Sequence, residues 1–194
     1  MRRTLALALG GLTLAGGLAQ PAVGGDPAAG RKIANMCQTC HGVDGYARIP
    51  LAPHIGGEPK EYLEAQLMAF KTGAREHEMM SVVTASLSAQ QISDVSAWYA
   101  EHRAVATLPE GVSESDAPDA CTSCHGVDGI SVLLDAPNLA GEVNIYIDTQ
   151  LKAFRNGKRQ HEIMSEISAN LTDAEIRALA DWYSKIELVI EPLE

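Results

Sequence analysis

The stretch CQTCHGVDG, residues 37–45, returns as CTSCHGVDG at residues 121–129. The offset of 84 continues without a gap. Pro53 falls on Pro137 and Gly57 on Gly141. Tyr62, Gln66, Leu67 and Phe70 fall on Tyr146, Gln150, Leu151 and Phe154. Gly73, Arg75, His77 and Met80 fall on Gly157, Arg159, His161 and Met164, and Trp98-Tyr99 on Trp182-Tyr183. Two copies are too few for a solenoid, so the chain reads as tandem domains. The expected boundaries are residues 25–103 and 118–186, with a polar Pro/Gly linker at 104–117. A C-terminal tail, 187–194, is expected to have no counterpart in the repeat.

Each copy reads as all-α. Leu63, Leu67 and Phe70 recur at helical spacing and Gly73 marks a stop; Ile147, Leu151, Phe154 and Gly157 repeat the pattern. The last helix of each copy opens on a capping box, Ser88 with Gln91 and Thr172 with Glu175. A first helix is expected from about Asp26 into Cys37. Its counterpart is shorter, with Asp116 as cap and Pro118 in the first turn. No alternating run is long enough to predict a sheet. The shared GVDG predicts a tight turn whose glycines permit φ > 0.

On a helical turn Cys37, Cys40 and His41 share one face, as do Cys121, Cys124 and His125. Two thiols so placed can add to the two vinyl groups of one haem, and the adjacent imidazole can reach its iron. C-x-x-C-H is the attachment signal of c-type haem, so two covalently bound haem c groups are expected. A thioredoxin-like C-x-x-C needs a βαβ setting, which is missing. A zinc site needs about four ligands, and each half offers two Cys and scattered His. Plain disulfides would leave both histidines without a role. Haem also supplies bulk to a chain with only two Phe, two Trp and five Tyr.

A thioether on the far face would close the iron and raise its potential. The first half offers Met36, Met68, Met79 and Met80, the second only Met164. The repeat pairs Met164 with Met80, so Met80 and Met164 join His41 and His125 as expected axial ligands. His77 and His161 are rival ligands that would give bis-His haems. Otherwise they sit with Arg75 and Arg159 near the propionates, or are plain loop residues.

The chain has 194 residues and a formal net charge of −10. It opens on a basic start, an apolar run and a small-residue zone, the layout of a secretory signal peptide over residues 1–24, cut after Ala19 or Gly24. No later stretch is long enough to span a bilayer, so a soluble protein of an oxidising compartment, the periplasm, is expected. Residues 25–107 carry nine acids against seven Lys/Arg, and residues 108–194 sixteen against six. This acidity argues against nucleic acid as a partner. Its asymmetry can orient docking on a basic surface.

Both copies continue the motif as P-x-[LI]-[AG]-G, Y-[LI], Q-L, F, G-x-R, M, L-[ST] and W-Y. In this the chain resembles the di-haem cytochromes c4, over about Asp26–Tyr183. The resemblance implies two class I cytochrome c domains facing each other about a pseudo-twofold axis, with haem propionates near their interface. It also implies that the Pro53 and Pro137 carbonyls accept hydrogen bonds from Nδ1–H of His41 and His125. The chain departs from the family in having Glu58 and Glu142 where Gln is frequent. It also has Ser81-Val82 and Ser165-Glu166 where Pro often follows the ligating Met.

The function expected is single-electron transfer, not catalysis, between a donor dehydrogenase or respiratory complex and an acceptor such as a terminal oxidase. Contact at a membrane surface would be peripheral. The alternative is a dedicated electron-accepting subunit of a dehydrogenase oxidising a sulfur compound or an alcohol. A di-haem peroxidase ranks behind both, because it needs an open iron and the repeat gives each haem a Met.

Overall fold

Residues 24–193 are described by a computed structural model. The expected signal segment, apart from Gly24, lies outside the described residues. No described helix is long and apolar enough to cross a membrane.

The architecture is all-α, two tandem helical units. In the first, α1 (Pro27–Ile33) starts where the Asp26 carboxylate accepts from Ala28 N at 2.9 Å. A short 3-10 turn leads into α2 (Gln38–His41). Then come α3 (Lys60–Thr72), α4 (Glu78–Ala85) and α5 (Ala89–Ala100). The second unit holds α6 (Asp119–His125), α7 (Asn144–Arg155), α8 (Glu162–Ala169) and α9 (Asp173–Ser184). Both capping boxes form, at Ser88/Gln91 and Thr172/Glu175. Gly73 closes α3 with φ 78°, a left-handed conformation that costs a residue with a Cβ. Two boundaries differ from expectation. Asp116 caps no α-helix: it sits in a 3-10 turn closed by Ser113, and α6 begins after Pro118. And α7 ends at Arg155, with Asn156 as its cap, before Gly157 is reached.

Each unit buries a small core between its long helices, Leu63, Val95 and Tyr99 in the first, Ile147, Ala180 and Tyr183 in the second. Only the first has α1, which crosses α5 at Gly30. A Cβ at Gly30 would run into the backbone carbonyl of Asp94 and stand 2.9 Å from Cβ of Trp98. The two helix backbones therefore touch, and glycine is what lets them.

The sequence predicted no sheet, yet β1 (Arg103–Thr107) pairs antiparallel with β2 (Glu187–Glu191). The first strand occupies the start of the expected linker and the second lies in the tail. The register sets Arg103 opposite Glu191, Val105 opposite Val189 and Thr107 opposite Glu187. Val189 is Val105 shifted by 84, so the tail does have a counterpart in the repeat, and the pseudo-twofold axis passes through this pair.

The same symmetry governs the contact between units. Arg75 donates to Gln66 Oε1 (2.7 Å) and crosses to Gln150 Oε1 (2.8 Å) and Tyr146 OH (3.1 Å). Arg159 donates to Gln150 Oε1 (2.9 Å) and crosses to Gln66 Oε1 (2.8 Å) and Tyr62 OH (3.2 Å). Each guanidinium also lies 4.5 Å from the ring centre of its own unit's phenylalanine, Phe70 or Phe154. Arg75→Met keeps length and removes the charge. It is expected to lower unfolding stability by about 1.5–3 kcal/mol, the scale of a hydrogen bond to a charged group, in a denaturant titration.

Candidate haem sites

The two C-x-x-C-H segments adopt matching helical turns. Each ends at a glycine, Gly42 or Gly126, with φ near 75°. A Cβ at Gly45 would strike the backbone of Gly56, so this turn too depends on glycine. All four cysteines are half-buried and none is paired in a disulfide. Burial pushes the Cys37 thiol up to about 11 and raises Cys121 as well.

His41 and His125 are buried, 8% and 5% exposed. Nδ1 of His41 lies 2.9 Å from the Pro53 carbonyl, and Nδ1 of His125 lies 2.8 Å from that of Pro137. A carbonyl only accepts, so Nδ1 carries the proton and donates. Nε2 is the lone-pair nitrogen, with no hydrogen bond among the described residues. Burial lowers both pKa values and keeps the rings neutral, as a metal ligand must be.

Met80 and Met164 occupy equivalent places in the first turns of α4 and α8, both half-buried, whereas Met79 is 62% exposed. His77 and His161 cap these helices. Nδ1 of His77 accepts from Met80 N at 3.4 Å, and Nδ1 of His161 accepts from Met164 N at 3.3 Å. Ser81 and Ser165 accept in return from the backbone N–H of His77 and His161 (3.2 and 3.1 Å). So His77 and His161 fix the backbone that carries Met80 and Met164. The serines found where the family often has Pro complete that cap. The recurring H-x-x-x-S was the signal for it in the sequence.

These residues fit a covalently held haem c. Each turn offers two free thiols and one neutral imidazole on a single helical face. The buried Arg75 guanidinium and that of Arg159 bond only to neutral oxygens and form no ion pair among the described residues, which suits anionic propionates at the interface. No three His, Cys, Asp or Glu among the described residues group as a bare metal site.

Sequence reasoning missed a pair of cross-unit contacts. Glu142 Oε2 accepts from His54 N at 3.0 Å, and Glu58 Oε2 accepts from Asn138 N at 2.9 Å. His54 and Asn138 are repeat partners, as are Glu58 and Glu142. The His54 and Asn138 side chains also reach across, to the carbonyls of Gly141 (3.2 Å) and Gly57 (2.9 Å). Both carboxyls are buried, and burial pushes Glu142 up to about 8 and Glu58 well above the ordinary range. Their signal was the recurrence of Glu five residues after the repeated Pro in both copies.

Comparison with known proteins supplies the context. Residues 27–101 match the family model of cytochrome c, and residues 109–182 that of cytochrome c oxidase, cbb3-type, subunit III. The chain is 33% identical over 183 residues to cytochrome c4 of Pseudomonas aeruginosa, covering 86% of this chain and 90% of that one. It is 32% identical over 203 residues to a thiosulfate dehydrogenase electron acceptor of Thiomonas intermedia, covering 94% and 90%. The crystal structure of reduced recombinant cytochrome c4 from Pseudomonas stutzeri superposes with a TM-score of 0.73 at 28% identity, covering 84% of this chain and all of that one.

Proposed function

The chain belongs to the cytochrome c4 family, and from that premise we propose that it is a periplasmic shuttle passing single electrons from a donor dehydrogenase or respiratory complex to an acceptor such as a terminal oxidase. It is a di-haem electron carrier with two covalently bound haem c groups, and not an enzyme. Each haem supplies a one-electron Fe(II)/Fe(III) couple.

In this reading Cys37 and Cys40 tether one haem and Cys121 and Cys124 the other. His41 and His125 would hold the irons through Nε2, oriented through Nδ1 by the carbonyls of Pro53 and Pro137. Met80 and Met164 would supply the second protein ligand to each iron, on helix ends held by His77 and His161. Arg75 and Arg159 place positive charge where propionates would approach. The observation that carries the reading is the pair of matched turns, each with its imidazole hydrogen-bonded at Nδ1 and free at Nε2.

The acidic second unit favours a basic partner face. Reduction by a cationic donor protein is expected to slow on the order of tenfold as the Debye length shortens from about 30 Å at 0.01 M salt to about 8 Å at 0.15 M. Stopped-flow absorbance at the haem bands measures this, and a flat salt response sinks the steering.

A second reading, an electron-accepting subunit of a dehydrogenase, is favoured by the relative from Thiomonas intermedia. Native purification separates the two: a dehydrogenase that stays bound through gel filtration supports the subunit, and a free chain supports the shuttle.

A further inference from the structure

Pro53 C=O and His54 N–H belong to one peptide group. The carbonyl end accepts from Nδ1 of His41 (2.9 Å) and the N–H end donates to Glu142 of the other unit (3.0 Å). The Pro137–Asn138 peptide repeats this, with Nδ1 of His125 at 2.8 Å on one end and Glu58 at 2.9 Å on the other. From this geometry we propose that Glu142 and Glu58 are cross-domain positioning residues, each tuning the haem of the other domain through the peptide group that holds its axial histidine. The proposal rests on His41 and His125 being the axial ligands.

The physics is polarisation along a hydrogen-bonded chain. A carboxylate on the N–H end of an amide draws that proton and pushes electron density onto the carbonyl oxygen. The oxygen becomes a better acceptor, Nδ1–H donates more strongly, and the imidazole becomes a more basic ligand. A more basic ligand favours Fe(III), so an ionised Glu142 lowers the potential of the first haem and an ionised Glu58 that of the second. Both carboxyls are about 95% buried, so water screens little of this effect.

The bonds are also well fixed. Oε1 of Glu142 accepts from Val143 N at 2.6 Å, which leaves Oε2 for His54. His54 accepts at Nδ1 from Ala47 N (3.0 Å) and so donates through Nε2, a neutral ring. Asn138 occupies the matching place without a titrating group, accepting from Ser131 N at 2.9 Å. The groups acting on the two carboxyls are each other, His54 and the Tyr62 phenol, with Arg75 and Arg159 beyond Tyr62. Burial pushes Glu142 up to about 8 and Glu58 well above the ordinary carboxylate range, so the charge of each, and its effect on the irons, develops as pH rises.

The test is potentiometry of the holoprotein from acid to alkaline pH, wild type against Glu142→Gln and Glu58→Gln. Glutamine keeps the shape and an accepting oxygen, and removes the charge. Haem methyl NMR resonances, sorted by domain with Met80→Ala, assign each potential. Glu142→Gln should raise the first haem's alkaline potential and flatten its pH dependence, leaving the second haem's in place. Glu58→Gln should do the reverse. The variants and wild type should converge at acid pH. A shift confined to the mutated domain, or none in either, overturns the relay. A ferric spectrum lacking histidine ligation overturns the ligand reading and the relay with it, so the two failures are distinguishable. If a glutamine variant does not fold, Glu142→Asp and Glu58→Asp serve. They keep the charge but draw it back from the peptide, and should shift the same haem upward by less.

Discussion

Replacing Met80 by alanine is expected to open one iron and leave the other closed. The thioether stabilises Fe(II) over Fe(III), so removing it should lower that haem's potential. The expected fall is on the order of 0.1 V or more, against about 0.8 V that axial ligands span across haem proteins. The ferric protein should lose half of its weak methionine-to-iron absorption band, and one haem should turn high-spin or take up an added ligand. Met164→Ala should do the same to the second haem. Met79→Ala should leave spectrum and potentials unchanged, since its side chain is exposed and its repeat counterpart is Ile163, which cannot ligate iron. Absorption spectroscopy with potentiometry measures all three. A band lost in Met79→Ala and kept in Met80→Ala would reverse the assignment.

Gly30→Ala is the change expected to cost most in stability. The added methyl meets a backbone carbonyl of α5, which cannot rotate away as a side chain could. To make room α1 must lift from α5, and the core beneath, including Ala34 and Val95, loses its packing. The expected loss is about 3 kcal/mol, the upper end for overpacked cores. Denaturant unfolding followed at each haem should show the first domain melting early and the second little changed. The matching position, Glu114, lies in an exposed 3-10 turn, and Glu114→Ala should be silent. Equal losses from both substitutions would refute the backbone-contact argument.

What could be read from the sequence was what is encoded locally. The C-x-x-C-H turns, the Ser88 and Thr172 caps and the Gly73 stop each depend on residues within about one helical turn. The offset of 84 carried them from one copy to the other and selected Met80 over Met79. The cross-unit contacts were hidden because they depend on which faces meet. Arg75 and Arg159 were read as haem-edge residues, with nothing to show that each reaches a Tyr and a Gln of the other copy. Glu58 and Glu142 were visible only as departures from a family habit. The β ribbon was missed because RAVAT sits in a segment that reads as linker. Its strand exists through pairing with ELVIE, 84 residues on, and not through its own pattern.

The centring of that ribbon on Val105 and Val189 has a historical consequence. In the strand register, the arginine contacts and the glutamate contacts, each cross-unit pair recurs with its two members exchanged between the copies, whereas the Tyr62 N–Leu134 O bond (3.1 Å) and the Arg103–Glu191 ion pair (2.7 Å) have no mirror image among the described residues. This is the form of an isologous contact, the kind that joins identical subunits in a symmetric dimer. A one-domain ancestor carrying these residues would already have paired with itself, so that gene duplication and fusion preserved an existing assembly. The two halves now differ, the first with α1 and near-neutral charge, the second with a 3-10 turn at the matching place and an excess of acid.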